Sequence, residues 1–278
     1  SLSQLTKGKE DIMNTWPGPE NSWEGVDAYF TWANSPGMLV TLSLVVGVIL
    51  LCIVVISPTQ AFAHKLIPTD GSNTEIDSAL IIPDPVVSWA MYEELNNNPL
   101  YYTFDAKKGE KLYASIVIPK LDGLENFTPS LVFIAPTFSL DLISELEIKD
   151  MEKSFIYSIP NGYTAVVFDY DQVLPSKEFY EPFGQITYWE RQEINLIIPV
   201  DATYYLAVYD ANGNYGKLAL AVGYIEDFSA SDFLTVLPSA WFESRYFVED
   251  YSTPILSIII ILGIISGLAF LVYRKVKK

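Results

Sequence analysis

The sequence predicts a mainly β chain, a jelly-roll-like β-sandwich held outside the cytoplasm and flanked by two transmembrane α-helices. Three observations carry that prediction. Residues 37–56 and 254–273 are each twenty uncharged, mostly apolar residues, Arg274, Lys275, Lys277 and Lys278 follow the second run at once, and the chain between the runs alternates apolar and polar residues over short stretches. About 20 helical residues at about 1.5 Å each span a hydrocarbon core roughly 30 Å thick. The terminal cations favour the cytoplasmic side, which puts the C-terminus in the cytoplasm and the preceding domain outside it.

Taken in order, residues 1–36 are polar but carry Trp16, Trp23, Tyr29, Phe30 and Trp32. Amphipathic rings prefer the headgroup layer, so residues 28–33 are expected to lie at the membrane surface. The first apolar run reads as an uncleaved span over 37–57. The alternative is a signal-peptide core, with Met38 as a start and Ala61-Phe62-Ala63 as a cleavage pattern. No cation closely precedes the run, and an opening Ser fits loss of an initiator Met, so the span is preferred. Both termini are then cytoplasmic and the domain is tethered at both ends. Cys52, the single cysteine, falls inside this run, where it forms no internal disulfide.

Residues 58–231 are the expected domain, 232–253 an aromatic interfacial segment, 254–273 the second span and 274–278 a basic tail. Residues 58–251 hold 29 acidic and 11 basic residues, a formal balance of −18. Phosphate binding needs a basic face, so nucleic acid is excluded as a partner, whereas cations and basic proteins fit.

Strands are expected at 87–92, 101–105, 111–118, 130–135, 164–169, 194–198, 204–209 and 217–223, where β-branched and aromatic residues alternate with polar ones. In 111–118, Leu112, Ala114, Ile116 and Ile118 share one face, which is a core face. Asn96 to Pro99, Lys108-Gly109, Asp122-Gly123, Asn161-Gly162 and Asn212-Gly213 punctuate the strands. The Asn-Gly pairs tolerate positive φ and suit hairpins. A barrel is the alternative to a sandwich. One helix is expected near 140–152, where Leu142, Ile143 and Leu146 keep helical spacing, and another around 239–248 among Trp241, Phe242, Tyr246 and Phe247.

Three segments resemble the bacterial and archaeal pre-peptidase C-terminal domain over about residues 101–223. Tyr101-Tyr102-Thr103-Phe104-Asp105 with Lys108 to Leu112 is similar to its opening hairpin, Ser130 to Pro136 to its middle strand, and Tyr204 to Tyr209 with Gly213-Asn214-Tyr215 and Leu218 to Val222 to its closing hairpin. The resemblance implies a jelly-roll-like fold and a non-catalytic, accessory role; it implies no substrate.

The residues themselves limit the chemistry. His64 is the only histidine, so a His/Cys zinc site, a cupredoxin copper site or a Ser-His-Asp triad cannot be built within the chain. Asp169 and Asp171 would share a strand face and form the one carboxylate pair to consider for hydrolysis, and no enzyme activity is expected. Asp210, Asn212 and Asn214 have the alternating oxygens of a calcium loop, although the EF-hand order is broken, so the choice lies between an Asn-Gly turn and calcium, the sole cofactor in view. Asn126-Phe127-Thr128 is a formal glycosylation acceptor. Gly263 with Gly267, and Ser43 with Gly47, place small residues one turn apart, where helix backbones approach closely. Neither span contains a carboxylate, histidine or cation, which argues against an ion pathway. The chain is therefore read as a non-catalytic subunit of a larger membrane complex, whose acidic domain docks or caps other membrane subunits. The alternative is a stand-alone surface protein that binds carbohydrate or calcium.

Overall fold

The computed structural model describes residues 64–144, 154–229, 232 and 236–277. The first expected span with Ser43, Gly47 and Cys52, the aromatic lead-in, the pattern at 61–63 and residues 145–152 of the expected helix all lie outside the described residues.

Among the described residues, eleven strands form two sheets. They are β1 (Lys65–Leu66), β2 (Leu80–Ile81), β3 (Trp89–Leu95), β4 (Leu100–Ala106), β5 (Lys111–Pro119), β6 (Ser130–Pro136), β7 (Tyr163–Phe168), β8 (Glu178–Glu181), β9 (Ile186–Ile197), β10 (Ala202–Tyr209) and β11 (Gly216–Val222). One sheet runs β1-β3-β11-β5-β9-β8 and the other β2-β4-β10-β6-β7. Pairing is antiparallel except where β1 and β2, the short edge strands, join β3 and β4 in parallel.

Alternation decides which residues meet between the sheets. Leu112, Ala114, Ile116 and Ile118 of β5 and Leu218, Leu220 and Val222 of β11 face Tyr102, Phe104, Phe133, Tyr204 and Leu206 of the other sheet, and all are buried. The rings of Phe104, Tyr204 and Phe133 stack at 6.0 and 5.6 Å. Glu93 interrupts this core. It lies on the inward face of β3 between Met91 and Leu95, 3% exposed, and accepts a hydrogen bond from the Tyr102 hydroxyl at 3.1 Å. Burial pushes its carboxyl up to about 7.

Two expectations change. The turns at Lys108-Gly109 and Asn212-Gly213 are not hairpin tips, because β4 and β5 belong to different sheets, as do β10 and β11. Positive φ at Gly109 and Gly213 permits a tight reversal, and it does not dictate that the flanking strands pair. The segment expected to open a helix at Leu140 is instead the end of a short 3-10 turn, Thr137–Leu142, that packs Leu140 and Ile143 into the core.

Two helices close the chain. Helix α1 (Val236–Phe247) lies against the domain and α2 (Ser252–Val276) is, among the described residues, the one helix long and apolar enough to cross a membrane. The link between them is short and wired. Arg245 donates to Asp250 at 3.1 Å, and Asp250 accepts from the Thr253 backbone N–H, the Thr253 hydroxyl and the Ser252 hydroxyl at the first turn of α2. These hydroxyl and amide donors hold the Asp250 carboxyl down at about 2. Lys217 of β11 pairs with Glu249 at 2.6 Å.

A candidate ligand groove on the six-stranded sheet

The outer face of the six-stranded sheet is made by the residues that alternate with the core set. On β3 and β11 these are Ala90, Tyr92, Ala219 and Ala221, and on β5 Tyr113, Ser115 and Val117. The end of α1 covers one portion of this face. Phe247 stacks on Tyr92 with ring centres 4.8 Å apart, and Val248 joins Val117, Ile186, Tyr188 and Ala219 in a small apolar cluster. Beside that cluster, and sharing Tyr92, Val117, Tyr188 and Ala219 with it, lies an open groove of about 750 Å³. Its floor is low because Ala90, Ala219, Ala221 and Ser115 are small. Its walls are high because Tyr92, Tyr113, Tyr188 and Phe179 are not.

A β-bulge sets the charge of the groove. Ser115 pairs with Glu193 and Val117 with Glu190, so β9 places two residues, Arg191 and Gln192, opposite the single Ile116. Glu190 and Glu193, three apart, therefore share the outer face, which a regular strand would forbid. Arg191 and Gln192 lie at the groove margin and clamp neighbouring loops. Arg191 donates from Nε to the Phe127 carbonyl at 2.9 Å, from Nη2 to the Glu125 carbonyl at 3.1 Å and from Nη1 to the Ser176 hydroxyl, and its guanidinium lies 5.3 Å from the Tyr170 ring. Gln192 Nε2 donates to the carbonyls of Pro129 and Phe168, while its buried Oε1 has no partner among the described residues.

The carboxylates differ in environment. Glu190 accepts from Lys177 at 3.1 Å and Glu193 from the Tyr113 hydroxyl at 3.2 Å, both at the open side. Glu181 is buried on β8, where desolvation raises its pKa and the backbone N–H groups of Phe183 and Gly184 oppose that rise. A Cβ at Gly184 would stand 2.7 Å from Glu181 Oε2, so any larger residue there would displace that carboxylate. His64 shares a 2.6 Å hydrogen bond with the Ser88 hydroxyl, and burial lowers its pKa to about 4, so it is neutral at physiological pH.

Asp169 and Asp171 lie just past the end of β7 and both line the groove, with the Ser130 hydroxyl donating to Asp169 at 2.5 Å. Asp210, Asn212 and Asn214 are elsewhere, on the connection from β10 to β11. Asp210 Oδ1 accepts from the Asn212 and Asn214 backbone N–H groups at 2.8 and 3.1 Å and from Asn214 Nδ2 at 3.2 Å, so the loop is held together by its own hydrogen bonds. Among the described residues no group of three or more His, Cys, Asp or Glu stands together as a metal site. Gly263 and Gly267 lie on α2, where a Cβ would meet nothing within 4 Å.

Sequence reasoning missed Tyr113, Glu181, Tyr188, Glu190 and Glu193 as one surface. The available signal was the run Glu190-Arg191-Gln192-Glu193, which breaks the period-two pattern inside what is a twelve-residue strand.

No family model and no curated protein matches the chain in sequence. Among solved structures the chain is similar to a periplasmic inhibitor of g-type lysozyme, PliG of Aeromonas hydrophila, at 13% identity over 58% of this chain and 98% of that one, with a TM-score of 0.29. It is also similar to CorA, a surface-associated copper-binding protein of Methylomicrobium album BG8, at 11% identity over 59% of this chain and 99% of that one, with a TM-score of 0.24. Both TM-scores fall below 0.5, and neither likeness bears on what this chain does.

Proposed function

We propose that the chain is a non-catalytic subunit of a larger membrane complex, whose acidic β domain docks partner subunits outside the cytoplasm. In this reading residues 37–57 and α2 are two spans, the tail at 274–278 is cytoplasmic, and the domain is a jelly-roll-like sandwich akin to the pre-peptidase C-terminal domain. The observation that carries the reading is the wired link from domain to anchor. Four residues, 248–251, separate α1 from α2, and Arg245, Lys217 and Asp250 tie them down. A link with so few free torsions holds the open groove at a fixed height and angle relative to the bilayer, as docking to neighbouring subunits requires. The other end of the domain is secured nearby, since Lys65 of β1 lies 3.6 Å from Asp227 and 3.5 Å from Asp232 on the way to α1. That arrangement suits a chain that leaves and returns to one membrane.

A photo-crosslinking residue in place of Tyr113 in intact membranes tests this. Discrete protein adducts are expected, and a complete absence of adducts, with the protein present and folded, would count against docking. A stand-alone surface protein that binds carbohydrate is the second reading, and the aromatic walls of the groove favour it. Calcium at Asp210 would have to displace the three hydrogen bonds that organise that loop.

A further inference from the structure

We propose that the groove on the six-stranded sheet receives a lysine or arginine side chain carried on a loop of a partner protein. This inference rests on the docking role proposed above and names the chemistry of the docked group. Charge is the first argument. Five carboxylates line the groove against two cations, Lys177 and Arg191, a formal balance of −3 with His64 neutral. Arg191 is committed to the carbonyls of Glu125 and Phe127 and to Ser176, so it does not serve a ligand.

Shape is the second argument. A long unbranched stem needs a low floor and apolar walls, and Ala90, Ala219 and Ala221 between Tyr92, Tyr113 and Tyr188 supply both. About 750 Å³ is more than one side chain fills, so the flanking residues of a loop fit as well. The third argument is the bulge, which holds Glu190 and Glu193 on the same side of the sheet beside Tyr113. A cation entering there meets carboxylates at its head and ring faces along its stem, the pairing that Arg191 and Tyr170 already make at the groove edge, 5.3 Å apart. A neutral glycan would use the rings and gain nothing from the charge, which is why a basic loop is favoured over a sugar.

The test uses the full-length protein in mild detergent and the peptide acetyl-Gly-Arg-Gly-Arg-Gly-amide, followed by calorimetry at low and high salt. Binding that weakens with salt is expected, with at least a tenfold loss in Glu190→Gln/Glu193→Gln and no binding of the same peptide with citrulline for arginine. Both Glu side chains are on the open face, and an unchanged melting curve certifies that the double variant folds. Ala221→Trp, which fills the floor, should abolish binding independently of charge. Equal affinity for the citrulline peptide, an unchanged affinity in the double Gln variant, or binding of maltohexaose in place of the arginine peptide would overturn the proposal. Partner association measured in the same variants separates the two readings. Partners that remain bound to Glu190→Gln/Glu193→Gln defeat the basic-loop inference and leave docking intact, whereas a wild-type protein that gathers no partner defeats docking itself.

Discussion

Glu93 offers the most quantitative test of the folded domain. Its carboxyl is buried between the two sheets among mostly apolar side chains, and desolvation raises its pKa from 4.5 to about 7. In the folded state the group therefore binds a proton that the unfolded chain has already released, over the interval from pH 4.5 to about 7. Stability attributable to Glu93 is fully present below pH 4.5 and is lost as the pH rises through 7. At 1.36 kcal/mol for each tenfold change in proton affinity, the loss is ~3 kcal/mol. His64 works in the opposite sense. Its folded pKa is lowered from 6.5 to about 4, so the unfolded chain binds the extra proton and stability rises with pH through that window. The two nearly offset in the wild-type protein, which makes the wild-type profile alone uninformative. Glu93→Gln isolates the carboxyl, because the amide keeps an acceptor for the Tyr102 hydroxyl and does not titrate. Thermal melts of the detergent-solubilised full chain from pH 4 to 8.5 should show the variant gaining on wild type by ~3 kcal/mol across this range. For a domain of this size that is roughly 6–12 °C in Tm at the alkaline end. A difference between variant and wild type that stays constant with pH would refute the buried, elevated carboxyl.

Other perturbations follow from single contacts. Gly223 has φ +81°, and a Cβ there would overlap the Val87 carbonyl, so Gly223→Ala should cost more than ~2 kcal/mol in a denaturation melt. Arg191→Ala removes the donors that hold the carbonyls of Glu125 and Phe127; a loss of about 2–4 kcal/mol and new proteolytic cuts between residues 121 and 129 are expected. Asp250→Ala removes the acceptor of the Thr253 N–H at the first turn of α2 and leaves the buried Arg245 guanidinium without its carboxylate, which should cost about 2 kcal/mol and expose residues 248–251 to protease.

The parts of the fold governed by period and punctuation were legible in the sequence. The face of Leu112, Ala114, Ile116 and Ile118 is buried as alternation requires, and the helix expected around 239–248 is present as α1. Pairing was less legible. Nothing local at Lys108-Gly109 or Asn212-Gly213 distinguishes a turn within a sheet from one that crosses between sheets, because that choice is made by long-range packing. The strand expected at 194–198 begins at Ile186, since the bulge at Arg191 and Gln192 breaks the alternation that would have extended it. The short strands β1, β2 and β8 carry too few residues to show a period. The groove escaped for a related reason: its floor is alanine and serine, residue types that signal nothing singly and acquire meaning only when three strands set them side by side.

The central claim, that the anchored domain works as a docking subunit, is tested most directly by the native mass of the full-length protein extracted from its own membranes in a mild detergent. An assembly in which additional chains accompany this one, and which loses them when Glu190 and Glu193 are neutralised, is the predicted result. A lone chain at every detergent concentration, with a folded domain and an empty groove, would contradict it.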